Sequence, residues 1–258
     1  MPPIALTIAG SDPGGGAGIE ADLKTFHQLR VYGTAAITLI AVQNTTHLSR
    51  VETLDPELIA EQIAAVLDDL PPDAAKTGAT GTASTIEAIA ASGLRCPLVV
   101  DPVTISKHGA PLMDDEARAA MRRLLLPRAA LITPNLLEAA ELAGISVTNP
   151  EQMREAARRI ADLGAAAVLV KGGHLAGDAV DILYHREIFT EFRAPRHSTR
   201  HTHGTGCTYS AAITALLARG MTLEEAVRRA KSFITEAIRT APGLGSGSGP
   251  VNHWADPL

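Results

Sequence analysis

The stretch IALTIAGSDPGGGAGIEADLKTF (residues 4–26) reads as a strand, a turn and a helix, in that order. Residues 4–9 are a short apolar run of strand length, and the glycines behind them end it. Beyond the glycines, Ile19, Leu23, Phe26 and Arg30 step at near-helical intervals, with the apolar members on one face. Repetition of this unit decides the fold. Apolar runs at 35–42, 74–78, 97–101, 130–133 and 166–172 alternate with helical patterns at 56–70, 83–92, 115–125, 135–143 and 151–163. Pro56 suits a first helical turn, and Ile59, Ile63, Leu67 and Leu70 follow on one side. The run at 35–42 is apolar on both faces, as buried parallel strands are. VDILYH (180–185) and EIFTEFRA (187–194) read as an antiparallel hairpin at a sheet edge. Helices at about 206–219 and 223–240 precede a glycine-rich tail, GLGSGSGPVNHW (243–254). The pattern predicts an α/β fold, a mostly parallel sheet covered by helices on both faces, as one domain over residues 1–258.

Composition narrows the partners. Hydrophobic residues make up 46% of the chain, enough for a sizeable core, and aromatics only 3%, which leaves few stacking platforms for bases. A formal net charge of −5 offers no basic footprint for nucleic acid or acidic lipid. The first sixteen residues lack a basic region before their apolar run, and no window approaches a membrane span. Two cysteines, Cys96 and Cys207, cannot build a disulfide framework. The expectation is a cytoplasmic protein with small-molecule ligands.

In such sheets ligands gather at the carboxyl ends of the strands. The loops after Ala9, Val42, Ala75, Val100, Thr133 and Val170 all carry polar or glycine-rich residues. HTHGTGCTYSAAITALLA (201–218) sets a Gly-Thr-Gly turn before a helix, whose free N–H groups and dipole would favour an anion. The turn reads equally well as a packing device. Cys207 at that helix start would have its thiolate favoured, bringing its pKa from about 8.5 toward neutrality. Asp12 and Asp22 bracket the first glycine loop, which matches neither a Walker A nor a Rossmann fingerprint. Asp101 in DPV and Glu138 in TPNLLEA could share a hydrated Mg²⁺, against bland readings as a strand-end cap and a solvated helix face. Lys171 in VKGGH stands where it could meet a phosphate. His201 and His203 lack a third ligand for zinc, so His203 is read as part of the site wall.

Taken together and in order, AGSDPGGGAGIEADLKTF, VQNT, DPV, TPNLLEA, VKGGH, THGTGCTYSAAI and GSGPVNH resemble the hydroxymethylpyrimidine/phosphomethylpyrimidine kinases of thiamine biosynthesis, within the ribokinase-like superfamily. The resemblance runs essentially end to end. It implies a three-layer α/β/α sandwich, use of ATP and Mg²⁺, and a homodimer. It implies that Asp22, Gln43 and the Gly10 backbone bind the aminopyrimidine, and that Asp101 and Glu138 organise Mg²⁺ through water. Lys171 would contact nucleotide phosphate, and Lys107 would lie on a mobile flap closing over the phosphates. Gly204, Thr205 and Gly206 would form the anion hole, with Cys207 in the general-base position that is an aspartate elsewhere in the superfamily.

The chain departs from the family pattern at Glu20, often Gln, and Gly14, often Ser. KTGAT also lacks a larger apolar residue near Ala79 and Thr80. The nearest rival is a pyridoxal kinase of the same subgroup, which would resemble TMDP where this chain reads VQNT. A Gln amide offers both a donor and an acceptor to an aminopyrimidine edge, so Gln43 favours the pyrimidine. A non-catalytic pyrimidine sensor would be expected to lose Cys207, Glu138 or the turn glycines; all are present.

Overall fold

A computed structural model describes residues 1–107, 109–173 and 177–256, so His174 of VKGGH lies outside the described residues. Among the described residues, nine strands form one sheet in the order β3-β2-β1-β4-β5-β6-β7-β8-β9. β1 (Ile4–Ser11), β2 (Tyr32–Gln43), β4 (Ala74–Thr77), β5 (Leu98–Val100), β6 (Ala129–Ile132) and β7 (Ala167–Lys171) run parallel. The hairpin expected near the end of the chain is β8 (Ala179–His185) and β9 (Ile188–Ala194), antiparallel at one edge.

Helices α1 (Gly18–Gln28), α7 (Thr205–Ala218) and α8 (Leu223–Arg239) cover one face of the sheet, around Phe26, Ile213 and Phe233. Helices α2 (Pro56–Asp69), α3 (Ala83–Ala91), α4 (Asp115–Ala120), α5 (Leu136–Ala143) and α6 (Pro150–Ala161) cover the other, around Ile59, Ile86, Met121 and Ile160. The result is a three-layer α/β/α sandwich. α7 is buried on nearly every side because it lies between the sheet and its neighbours α1 and α8, hence its lack of charged residues. Helix starts follow the capping rules: Asp55 with Pro56 for α2, and Asn149 with Pro150 for α6.

One expectation needs correction, and one strand was not anticipated. The run at 35–42 is not buried on both faces along its whole length. β2 outruns β1, whose pairing with it ends at Ser11 and Ile40, and the overhang leaves Ile40 and Val42 exposed on its outer face. Its other partner is β3 (Leu48–Thr53), an antiparallel edge strand that LSRVET does not announce, since mostly exposed residues carry no apolar alternation.

After β1 the chain moves outward to β2 and β3, then returns to the opposite side of β1 as β4. This reversal opens a crevice at the carboxyl ends of the central strands, where ligands of open α/β sheets bind.

Candidate active site

A cavity of about 480 Å³ occupies that crevice. Its walls come from the glycine loop after β1, the inner face of β2, the loops after β4 through β7, and the first turn of α7. Of the residues singled out in the sequence, Gly10, Gln43, Asp101, Lys107, Glu138, Lys171, Gly204, Thr205, Gly206 and Cys207 all line it, and so does His203.

Close backbone approach builds the base of this site. Gly204 is the N-cap of α7 with φ 75°, a left-handed conformation that suits glycine, and a Cβ there would collide with the Gly16 carbonyl. Gly18, also left-handed, stands against the Gly10 carbonyl in the same way. The two glycine loops are thus pressed together, and a side-chain latch joins them. Asp12 Oδ2 accepts the N–H groups of Gly16 and Ala17 and pairs with His203 Nε2 at 3.0 Å. Burial opposes ionisation, but the His203 contact and the loop amides bring the Asp12 carboxyl down to about 2. Among the described residues, the N–H groups of Gly206 and Cys207 have no backbone partner, and both residues line the cavity at a helix N-terminus.

Opposite this turn lies a charged cluster. Lys171 Nζ pairs with Asp101 Oδ1 at 3.1 Å, while Ser210 Oγ donates to Asp101 Oδ2 at 3.1 Å and Thr133 Oγ1 to Oδ1 at 3.2 Å. Despite burial, Lys171 and Lys76 hold the Asp101 carboxyl below the usual carboxylate range. Lys171 likewise stays an ammonium through Asp101 and Glu138. Glu138 closes the capping box of α5, accepting Asn135 N at 2.7 Å. Burial pushes it up to about 7, outweighing the pull of Lys171, with Asp101 adding like-charge repulsion. A cation beside it would relieve that penalty, so the donor set fits a hydrated Mg²⁺. Among the described residues no three acidic, His or Cys side chains gather as a set of direct metal ligands. Lys107 belongs to a tight turn over the cavity, and its ammonium donates to Thr202 Oγ1 at 2.9 Å.

Two site expectations change. Asp22 does not reach the cavity wall. It is fully buried beneath it, bound to Lys76 Nζ at 2.8 Å and Thr7 Oγ1 at 2.6 Å, which leaves it no face for a ligand. Nor is Cys207 a preformed thiolate. It is half-buried, and loss of solvent pushes its thiol up to about 11, more than the nearby Lys76 ammonium draws it down. Lys76 itself was missed, although a lysine inside the apolar run AAKTG was a visible anomaly. Asn135, Ser210 and Thr202 carried no local signal, because their importance lies in what the fold brings beside them.

The family model for phosphomethylpyrimidine kinase matches residues 12–252. The chain is 45% identical over 257 residues to a hydroxymethylpyrimidine/phosphomethylpyrimidine kinase of Bacillus subtilis, covering 97% of this chain and 94% of that one. It is 50% identical over 252 residues to the thiamine biosynthesis bifunctional protein ThiED of Geobacter sulfurreducens, covering 96% of this chain but only 51% of that longer protein. Among solved structures it is similar to a Bacillus subtilis pyridoxal kinase in complex with ADP, with a TM-score of 0.91 and 41% identity over 99% of this chain and 98% of that one. A phosphomethylpyrimidine kinase from Clostridium difficile gives a TM-score of 0.82 and 44% identity, covering 92% and 99%. The glycine loops, the DPV and TPNLLEA strand ends and the turn before α7 therefore sit in one cavity because this chain belongs to the phosphomethylpyrimidine kinase family.

Proposed function

We propose that the protein transfers the γ-phosphoryl group of ATP to 4-amino-5-hydroxymethyl-2-methylpyrimidine, and then to the resulting monophosphate, in thiamine biosynthesis. One observation carries the choice of substrate. Gln43 lies on the cavity face of β2, in step with Leu39 and Ala41, and its amide has no protein partner among the described residues. A donor and an acceptor are thus presented side by side to a ring edge.

The remaining residues fall into roles around that ring. The N–H groups at the start of α7 receive phosphoryl oxygens, and Lys171 and Lys107 neutralise nucleotide charge. Asp101 and Glu138 would hold Mg²⁺ through water, and the bound ion would supply charge neutralisation on the phosphates. Cys207 faces the acceptor hydroxyl in the general-base position. Because its thiol is protonated at neutral pH, it holds and orients the acceptor hydroxyl. As the oxygen bonds to the γ-phosphorus and the bond to the ADP oxygen breaks, the hydroxyl proton passes late to an oxygen of the transferred phosphoryl group, as a loose transition state permits. Residues 1–258 act as one kinase domain, supported by the single continuous sheet. A homodimer is supported by the apolar pair Ile40 and Val42 on the outer face of β2, and a cytoplasmic location by the two free cysteines. No helix among the described residues is long and apolar enough to cross a membrane.

The second reading, a pyridoxal kinase, is favoured by likeness to the Bacillus subtilis pyridoxal kinase structure. ATP consumption with the aminopyrimidine alcohol, its monophosphate and pyridoxal, compared side by side, separates the two. Turnover of both pyrimidines is expected. Turnover of pyridoxal alone would make the protein a pyridoxal kinase. Gln43→Met is expected to cost the pyrimidine at least about tenfold more in kcat/KM than pyridoxal, since unpaired polar edges discriminate strongly.

A further inference from the structure

The glycine tail at 243–251 contributes nothing to the cavity wall, yet its backbone grips the turn between the lining residues Gln43 and Leu48 and the lining residue His203. On one side it meets the turn joining β2 to β3. Ser248 N donates to the Thr45 carbonyl at 2.8 Å and Gly247 N to Thr45 Oγ1 at 3.2 Å. A Cβ at Gly247 would collide with the Thr45 carbonyl, and one at Gly245 with the Thr45 side chain. On the other side, His203 N donates to Gly249 O at 3.0 Å and Val251 N returns a bond to His203 O at 3.3 Å. Ser248 Oγ adds a bond to the Arg200 carbonyl at 2.9 Å.

The β2–β3 turn is stiff within itself, because Asn44 Oδ1 accepts from Thr46 N, Thr46 Oγ1 and His47 N. As a body it needs an outside anchor, since β3 is an edge strand with mostly exposed residues. Thr45 lies just past Gln43, and His203 just before Gly204. We propose that the tail at 243–251 is a positioning strap that sets the separation between the ring-binding end of the cavity at Gln43 and the phosphoryl-transfer turn at 204–207. A rigid ring must touch both ends at once, and a misplacement near 1 Å costs on the order of 10²-fold in rate. The strap's effect on ligands rests on the reading of Gln43 given above; its mechanical part does not.

The test uses the full chain with Gly247→Ala, whose new methyl must push the turn away, and Thr45→Val, which removes one of the two bonds and keeps the shape. Hydrogen exchange is followed by peptide, and calorimetry measures the aminopyrimidine alcohol and ADP separately. Gly247→Ala is expected to speed exchange in both 43–48 and 201–206 while leaving β7 to β9 unchanged. It is also expected to weaken aminopyrimidine binding about tenfold with ADP held within about twofold. Thr45→Val gives the same pattern at smaller size, and decides the matter should Gly247→Ala not fold. Exchange changes confined to the tail, or equal loss of both ligands, would overturn the strap. Wild-type protein that binds no aminopyrimidine would overturn the reading of Gln43 alone, with the exchange result still deciding on the strap.

Discussion

Cys207 is where two local forces meet and burial prevails. A helix N-terminus and a nearby ammonium favour its thiolate, but loss of water costs the anion more, and the thiol rests at about 11. Its contribution is therefore alignment of the acceptor hydroxyl. Cys207→Ala is expected to lower kcat by about 10²-fold through lost alignment while ADP affinity stays near wild type, checked by steady-state kinetics and calorimetry. Glu138 makes a second case. In metal-free protein it is protonated in both folded and unfolded states at low pH. Between its ordinary value of 4.5 and about 7 the folded state alone keeps the proton, so stability falls as pH rises through that window. Lys171, Asp101 and Glu141 are the charges that act on it. Glu138→Gln should remove this slope, matching wild type near pH 4 and gaining on the order of 3 kcal/mol at most above pH 7. Urea unfolding in EDTA across pH measures it. Parallel slopes would mean the carboxylate is already ionised in the cavity.

At the scale of elements, α5 shows how a short helix delivers a functional side chain. Its eight residues are too few for independent stability, so the reciprocal capping box between Asn135 and Glu138 matters more than in a long helix. Asn135→Ala removes the acceptor for Leu137 N and Glu138 N. A loss of about 1 kcal/mol, or roughly 2–4 °C in Tm, is expected, with the Mg²⁺ requirement held within about twofold because the backbone N–H of residue 135 still donates to the Glu138 carboxylate. Calorimetry and a Mg²⁺ titration of activity check the two halves. The existence of α5 was readable from TPNLLEA. β3 was not, because its strand state is imposed by the overhanging end of β2 rather than by its own residues.

Across the whole molecule, the buried pair of Lys76 and Asp22 ties β4 to α1, with Thr7 of β1 completing the network. Both side chains are fully buried, so each depends on the other for its charge. Lys76→Met leaves Asp22 uncompensated and is expected to cost about 3–5 kcal/mol. The double variant Lys76→Met/Asp22→Asn should recover much of that loss, since no buried charge is left uncompensated and the Thr7 hydroxyl keeps an acceptor. Equilibrium urea unfolding of the single and double variants checks this; equal loss in both would show that packing, not charge, sets the cost.

The period of the apolar residues and the glycines at strand ends determined the layers, the parallel sheet and the set of loops that form the site. Those are local properties of the chain, written within each window of ten to twenty residues. Tertiary structure alone decided that Asp22 turns inward to Lys76 and that the Cys207 thiol keeps its proton. It also decided that the tail reaches both the Gln43 turn and His203. Desolvation, charge–charge distance and backbone contact between remote segments depend on which residues are packed together, and no spacing along the chain encodes those distances.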